Sequence, residues 1–165
     1  MEITSPKTGD LVFFRDKLTW NPMTWLAKLI QWIAGITHNH VGVVVVEDNG
    51  QTYIYEAVKE GIVVRPLWLR IHNRDIMIRR PKKESSWVKH RAKNAVGTKY
   101  DFAGLLWFQL LYAIFGRWFG YKGDKAGSRF YCYEFAAYVH DYPNWQMVKP
   151  KEFINSSDFY TIDYY

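Results

Sequence analysis

A chain of 165 residues, 48% hydrophobic and 18% aromatic, can bury one sizeable core and carries more rings than such a core needs. Its single cysteine excludes an internal disulfide and any four-cysteine or cysteine–histidine zinc framework, so the fold needs no oxidising compartment. With 22 lysines and arginines against 16 aspartates and glutamates, the net charge of +6 favours anionic surroundings such as a membrane or cell-wall surface.

The opening MEITSPKTGD has no basic stretch followed by an apolar one, so no signal peptide is read and the cytoplasm is the default location. TGDLVFFRD predicts a short strand after a turn. NPMTWLAKLIQWIAG predicts a helix, with Thr24 as cap, Trp25, Leu29 and Trp32 at helical spacing and Gly35 as its end. HNHVGVVVVEDNGQTYIYEAV is the strongest hairpin signal in the chain, turning at Asp48-Asn49-Gly50. GIVVRPLWL adds a strand that stops near Pro66, and DIMIRRP adds another ended by Pro81.

SSWVKHRAKNAVG then predicts a helix with a serine cap, Val88, Ala92 and Ala95 on one face and Gly97 as stop. KYDFAGLLWFQLLYAIFGRWFG predicts a very apolar helix. Its run from Phe102 to Phe115 is short for a bilayer span and reads as buried or interfacial, which allows peripheral membrane association. The loop YKGDKAGS leads into RFYCYEFAAYVHDY, a third helix, and the tail KPKEFINSSDFYTIDYY is too mixed for an assignment. No repeat or linker divides the chain. The expectation is a single domain over 1–165, α+β in class, with an antiparallel sheet packed against helices. The basic stretch from 70 to 93 reads as a solvated loop and helix face. No nucleic-acid-binding motif accompanies it, so nucleic acid is not the expected partner.

Cys132 falls in the first turn of its predicted helix, after the polar Gly127-Ser128, where outward-pointing N–H groups favour a thiolate and can hold an oxyanion. It reads either as a nucleophile or as a small buried hydrophobe. A nucleophile needs a base. His72 and His90 lie in the basic stretch, and His140 stands two turns beyond Cys132 on the same helix, too far for contact. His40 opens a strand, with Gly42 two residues on to let a backbone or a substrate come close. His38 shares its face. Two histidines without a third ligand make no metal site, and no metal or cofactor is expected.

Glu56, a carboxylate in an otherwise apolar strand, is the candidate to orient the imidazole. Register tests that idea. A two-residue turn would pair Val43 with Glu56 and put His40 on the other face. A five-residue loop from Glu47 to Gln51 would pair Gly42 with Glu56 and set His40 diagonally beside it.

Taken in order, TGDLVFF, HVGVVV, YEA with GIVVRPL, GTKYDF and YCYEFAAYV resemble the permuted NlpC-type papain-like cysteine hydrolases, in their YiiX-like branch. The likeness covers about residues 8 to 142, and KPKEF…SSDF is similar to that branch's tail. It implies a circularly permuted papain-like fold with Cys132 as nucleophile, His40 (or else His38) as base and Glu56 as the third member. Where the family usually has a small residue after the cysteine this chain has Tyr133, which would shape the pocket mouth. Tyr100 in KYDF is a candidate substrate or oxyanion contact. The family's relatives, similar to lecithin-retinol acyltransferases, act on acyl chains at membranes, whereas wall-active ones cut peptide amides. The expected activity is therefore a cysteine hydrolase or acyltransferase acting on a peptide amide or a lipid acyl group. The rival is a non-catalytic lipid- or wall-binding module on the same fold.

Overall fold

The hairpin that carries His40 and Glu56 lies inside the sheet and fixes where both residues point. The computed structural model describes residues 2–15, 32, 35–105, 110–116 and 129–164. Strand β3 (His40–Val46) pairs antiparallel with β4 (Thr52–Val58), and Gly42 faces Glu56. The connection therefore runs from Glu47 to Gln51, the wider of the two alternatives. The Glu47 N–H donates to the Gln51 carbonyl at 2.8 Å and the Gly50 N–H to the Glu47 carbonyl at 2.9 Å. Gly50, at φ +80°, takes the left-handed position such a turn requires.

Around this hairpin stand β1 (Glu2–Thr4), β2 (Leu11–Phe14), β5 (Gly61–Pro66), β6 (Ile76–Pro81) and β9 (Phe159–Tyr164). The sheet order is β1-β9-β6-β2-β3-β4-β5, antiparallel throughout except for the β1–β9 pair. A separate parallel pair joins β7 (Lys99–Tyr100) to β8 (Arg129–Phe130). The helices are α1 (Leu67–Ile71), α2 (Trp87–Asn94), α3 (Leu110–Phe115), α4 (Cys132–Val139) and α5 (Pro150–Ile154), with a 3-10 turn at Trp145–Met147. The class is α+β, as expected, and no helix among the described residues is long and apolar enough to cross a membrane.

The sheet buries both faces at its centre, which is why LVFF and VGVVV read as continuous apolar runs instead of alternating ones. One face sets Leu11, Phe13, Val41, Val43 and Val45 against α2 and α4 through Val88, Ala92, Phe135 and Ala136. The other gathers Val12, Phe14, Val44, Ile54, Ile78 and Ile162 with Leu67 of α1. Each such Val, Leu, Ile or Phe side chain contributes about 1.5–3 kcal/mol on burial.

Several expectations need correction. The apolar helix does not begin at Lys99, because Lys99 and Tyr100 pair with Arg129 and Phe130 as strands. For the same reason the third helix begins at Cys132 and not at Arg129. The mixed tail supplies α5 and an inner strand, β9. The predicted helix over 21–35 lies outside the described residues apart from Trp32 and Gly35, as do the loop 121–128 and residues 106–109 and 117–120 of the apolar run.

Nor is the basic stretch 70–93 simply a solvated face. Arg80 donates to both Asp10 oxygens at 2.7 and 2.8 Å, and Arg79 donates to the carbonyls of Ile154, Ser156 and Phe159, tying the tail to β6. Lys89 and Lys93 of α2 hold Glu47 at 3.1 and 2.8 Å, anchoring the hairpin loop.

His140, at the end of α4, has no catalytic contact. Its ring lies edge-on to Phe159 at 5.2 Å, and its Nε2 is sealed without a partner. Burial pushes it from 6.5 down to about 4, against the pull of Asp10 and a hydrogen bond to the Gly9 backbone. The unfolded chain therefore takes up a proton between pH 6.5 and 4 that the native state refuses, so acid weakens the fold in that window. In His140→Gln, the fall in melting temperature from pH 7 to pH 5 should be smaller than in wild type. An equal fall would show that His140 plays no part in it.

Candidate active site

Helix α4 starts where the extended Tyr131, at φ −90° and ψ 170°, gives way to helical backbone at Cys132. Two contacts hold that start. Glu134 reaches back to accept the Tyr131 N–H at 3.2 Å, half of a capping box, and the Tyr131 hydroxyl donates to the Val148 carbonyl at 2.9 Å. Cys132 is thus the first helical residue, where the N–H groups have no intrahelical acceptor. It is only 3% exposed.

The start of β3 meets this helix terminus, because the Tyr133 hydroxyl donates to the His38 carbonyl at 2.8 Å. His40 pairs with Phe14 of β2, and the two rings lie 5.7 Å apart. His40 Nε2 is 2.8 Å from Glu56 Oε1, and Cys132 stands close enough to the imidazole to bear on its charge. With Nε2 on the carboxylate, Nδ1 is the nitrogen left for sulfur. Burial opposes a charge on this ring, but the hydrogen bonds and charges of Cys132 and Glu56 prevail and push it up to about 9. The imidazole therefore keeps its proton at neutral pH.

Glu56 is fully buried. Burial alone would raise its carboxyl, yet His40 and then Arg70 outweigh it and hold the group below the usual carboxylate range. Arg70 Nε lies 2.9 and 3.0 Å from the two carboxylate oxygens, and Arg65 Nη1 lies 3.5 Å from Oε2. The register that brings Glu56 beside His40 is the longer-loop register, so the structure brings Cys132, His40 and Glu56 together.

The other expected residues divide. His38 spends Nδ1 on the Thr37 hydroxyl at 2.8 Å, burial pushes its ring down, and it makes no contact with Cys132; the imidazole on the sulfur is His40. Tyr100 stands close enough to the thiol for burial, then the charges of Cys132, Glu134 and Asp101, to raise its phenol well above the ordinary value. Its ring packs on Phe102 at 4.8 Å.

Tyr133 is buried and its hydroxyl is committed to His38, so it acts as a strut under the histidine strand and not as a polar group at a pocket mouth. Gly42 makes room for the protein's own side chains rather than for a substrate. A Cβ there would stand 2.6 Å from Ile54 Cδ1 and 3.0 Å from Glu56 Cγ.

Glu134 and Arg70 were not singled out in the sequence. The first had a signal, since a glutamate at the third helical position is the capping-box spacing. Its burial, opposed by the Tyr131 N–H, pushes it up to about 9, so it stands neutral beside the cysteine. The second had none, because it sits on a helix that was not foreseen. Among the described residues, no three His, Cys, Asp or Glu side chains gather where they could hold a metal ion.

Gly42→Ala forces Ile54 and Glu56 outward and should destabilise the fold by about 1–3 kcal/mol, as overpacking does. Denaturant unfolding measures the loss, and an unchanged midpoint would mean that the two side chains yield freely. Tyr133→Phe should cost about 1 kcal/mol through the lost hydrogen bond. It should also slow Cys132 alkylation by loosening the start of β3, and wild-type stability with wild-type reactivity would deny the strut. No protein-family model and no curated protein matches the chain. The chemistry of this cluster therefore rests on its own geometry.

Proposed function

We propose that the protein is a thiol hydrolase or acyltransferase that cleaves an amide or ester through a Cys132 acyl-enzyme. The observation that carries this reading is the contact of Cys132 with an imidazole that is itself bound to a buried carboxylate. A protonated imidazole beside sulfur favours the thiolate, which is the attacking form.

In the proposed reaction the Cys132 sulfur bonds to the carbonyl carbon. His40 gives its proton to the departing amine or alcohol as the old bond breaks. Water, or an acceptor hydroxyl or amine, then attacks the thioester. Its proton passes to His40 and the thiolate leaves. Glu56 holds the imidazole through both steps, and the Cys132 N–H at the head of α4 offers a donor to the oxyanion. Tyr100, whose phenol feels the charge of Cys132, is the candidate for a second contact.

A circularly permuted papain-like fold is supported by a histidine strand that precedes the cysteine helix in the chain, and by that helix packing on an antiparallel sheet. Both candidate substrates carry a carbonyl that this site can attack, a peptide amide of cell-wall type and a lipid-linked acyl group. A docking surface for lipid is supported by Trp68 and Leu69, 66% and 58% exposed on α1, with Arg65 beside them in the chain. The near-complete burial of Cys132 favours the alternative, a binding module of the same fold with an inert thiol.

The rate of Cys132 alkylation against pH separates the two. The enzyme reading expects fast reaction well below the ordinary thiol pKa of about 8.5, falling at least tenfold in His40→Ala. A slow thiol indifferent to His40 in a folded protein leaves the binding module. Hydrolysis of acyl esters in micelles or anionic vesicles, set beside cleavage of short peptide amides, then distinguishes the substrates, with Cys132→Ala inactive in both.

A further inference from the structure

We propose that Arg70 is a positioning residue of the site, holding the Glu56 carboxylate charged and aimed at His40 Nε2, so that helix α1 is part of the catalytic apparatus. This deepens the reading of the Cys132–His40–Glu56 cluster and rests on it for its catalytic meaning, though not for its test.

The geometry is specific. Glu56 has no exposed surface, and its Oε1 already meets His40 at 2.8 Å. A buried carboxylate with one imidazolium partner is still costly, because the imidazolium must also serve the sulfur. Arg70 supplies the missing charge with a single N–H that straddles both oxygens at 2.9 and 3.0 Å, and its side chain is itself only 12% exposed.

Phe14 fixes both neighbours from below. The Arg70 guanidinium lies 4.0 Å from its ring centroid, and the His40 ring lies 5.7 Å away on the same phenyl. The guanidinium, carboxylate and imidazole therefore form one row across Phe14, with the thiol at its far end. The charged groups that face Glu56 are His40 from β3, Arg65 from β5 and Arg70 from α1; Cys132 of α4 meets the row through His40. Arg65 is the longer contact at 3.5 Å and is half exposed, so water screens it. That leaves Arg70 as the close, enclosed cation.

Arg70 has two consequences. It keeps Glu56 ionised when burial would have it take up a proton. It also stops the carboxylate from rotating away, since both oxygens are engaged. Without it the carboxyl protonates at higher pH, the imidazolium loses its counter-charge, and the thiolate beside it becomes harder to form.

The test follows Glu56 directly by carbon-detected NMR titration of its carboxyl in wild type, Arg70→Gln and Arg70→Lys, with Cys132 alkylation against pH recorded alongside. In Arg70→Gln the carboxyl midpoint should rise by at least one pH unit, and the acid limb of alkylation should move up with it. Arg70→Lys retains the charge and should bring the midpoint back to within about half a unit of wild type. Arg79→Gln, which loosens the tail far from this row, should lower the melting temperature and leave the Glu56 midpoint where it was.

An unmoved midpoint in folded Arg70→Gln overturns the proposal and makes Arg70 a structural residue. If Arg70→Gln does not fold, Arg70→Lys decides. A midpoint close to wild type supports the role of charge, and a rise as large as one unit despite the retained charge overturns it. A slow wild-type thiol together with the expected Glu56 shifts would sink the enzyme reading and leave the Arg70–Glu56 row standing.

Discussion

A carboxylate taken fully out of water loses several kcal/mol of hydration, and it stays ionised only if its surroundings return that energy through close charge and hydrogen bonds. Glu56 is such a group at the open end of the β3–β4 hairpin, and much of the surrounding structure satisfies it. His40 reaches it from the neighbouring strand, Arg70 from a short helix and Arg65 from the next strand. Removing one partner of a pair this deeply buried typically costs about 3–5 kcal/mol. The same contacts that keep the carboxylate charged keep the imidazole protonated, and a protonated imidazole is what a cysteine needs beside it. Stability and the proposed chemistry draw on one set of interactions here.

A second buried ion pair lies away from the β3–β4 hairpin, among β2, β6 and β9. Asp10, just before β2, takes both its Arg80 contacts from β6 and accepts the Tyr164 hydroxyl from β9 at 3.0 Å. It ties β2, β6 and β9 together. The two clusters are built from the same kinds of group. What separates them is the neighbour on the carboxylate: a phenol and an arginine at Asp10, an imidazole in contact with sulfur at Glu56. Much of the positive charge that looked like a surface footprint is spent inside the fold on these pairs and on the carbonyls that Arg79 gathers. Lys82 and Lys83 of the basic stretch lie exposed.

The hairpin shows how far local pattern reaches. The β-branched run before the Asp48-Asn49-Gly50 turn and the tyrosines after it place both strands, but they leave two registers open, one of which separates His40 from Glu56. The choice falls to the longer loop, closed by backbone hydrogen bonds within Glu47–Gln51 and fastened by Lys89 and Lys93 of α2. It also needs Gly42, where any Cβ would collide with Ile54 and crowd Glu56. Helix α1 was missed because five residues after a proline give too short a window for periodicity. Strand β9 was missed because FYTIDY mixes polar and aromatic residues and becomes a strand only between β1 and β6.

Alone, then, the sequence determines a single reactive-type residue at the head of a helix, a histidine at the head of a strand, a lone carboxylate in an apolar strand, and an α+β class. These follow from local rules of capping, alternation and the cost of a buried charge. That the three side chains touch, that His40 and not His38 meets the sulfur, and that an arginine from an unforeseen helix completes the row were decided by tertiary structure. Each depends on register and on contacts between segments up to 95 positions apart, as in the bond from Tyr133 to His38, and such long-range pairing leaves no periodic trace in the chain.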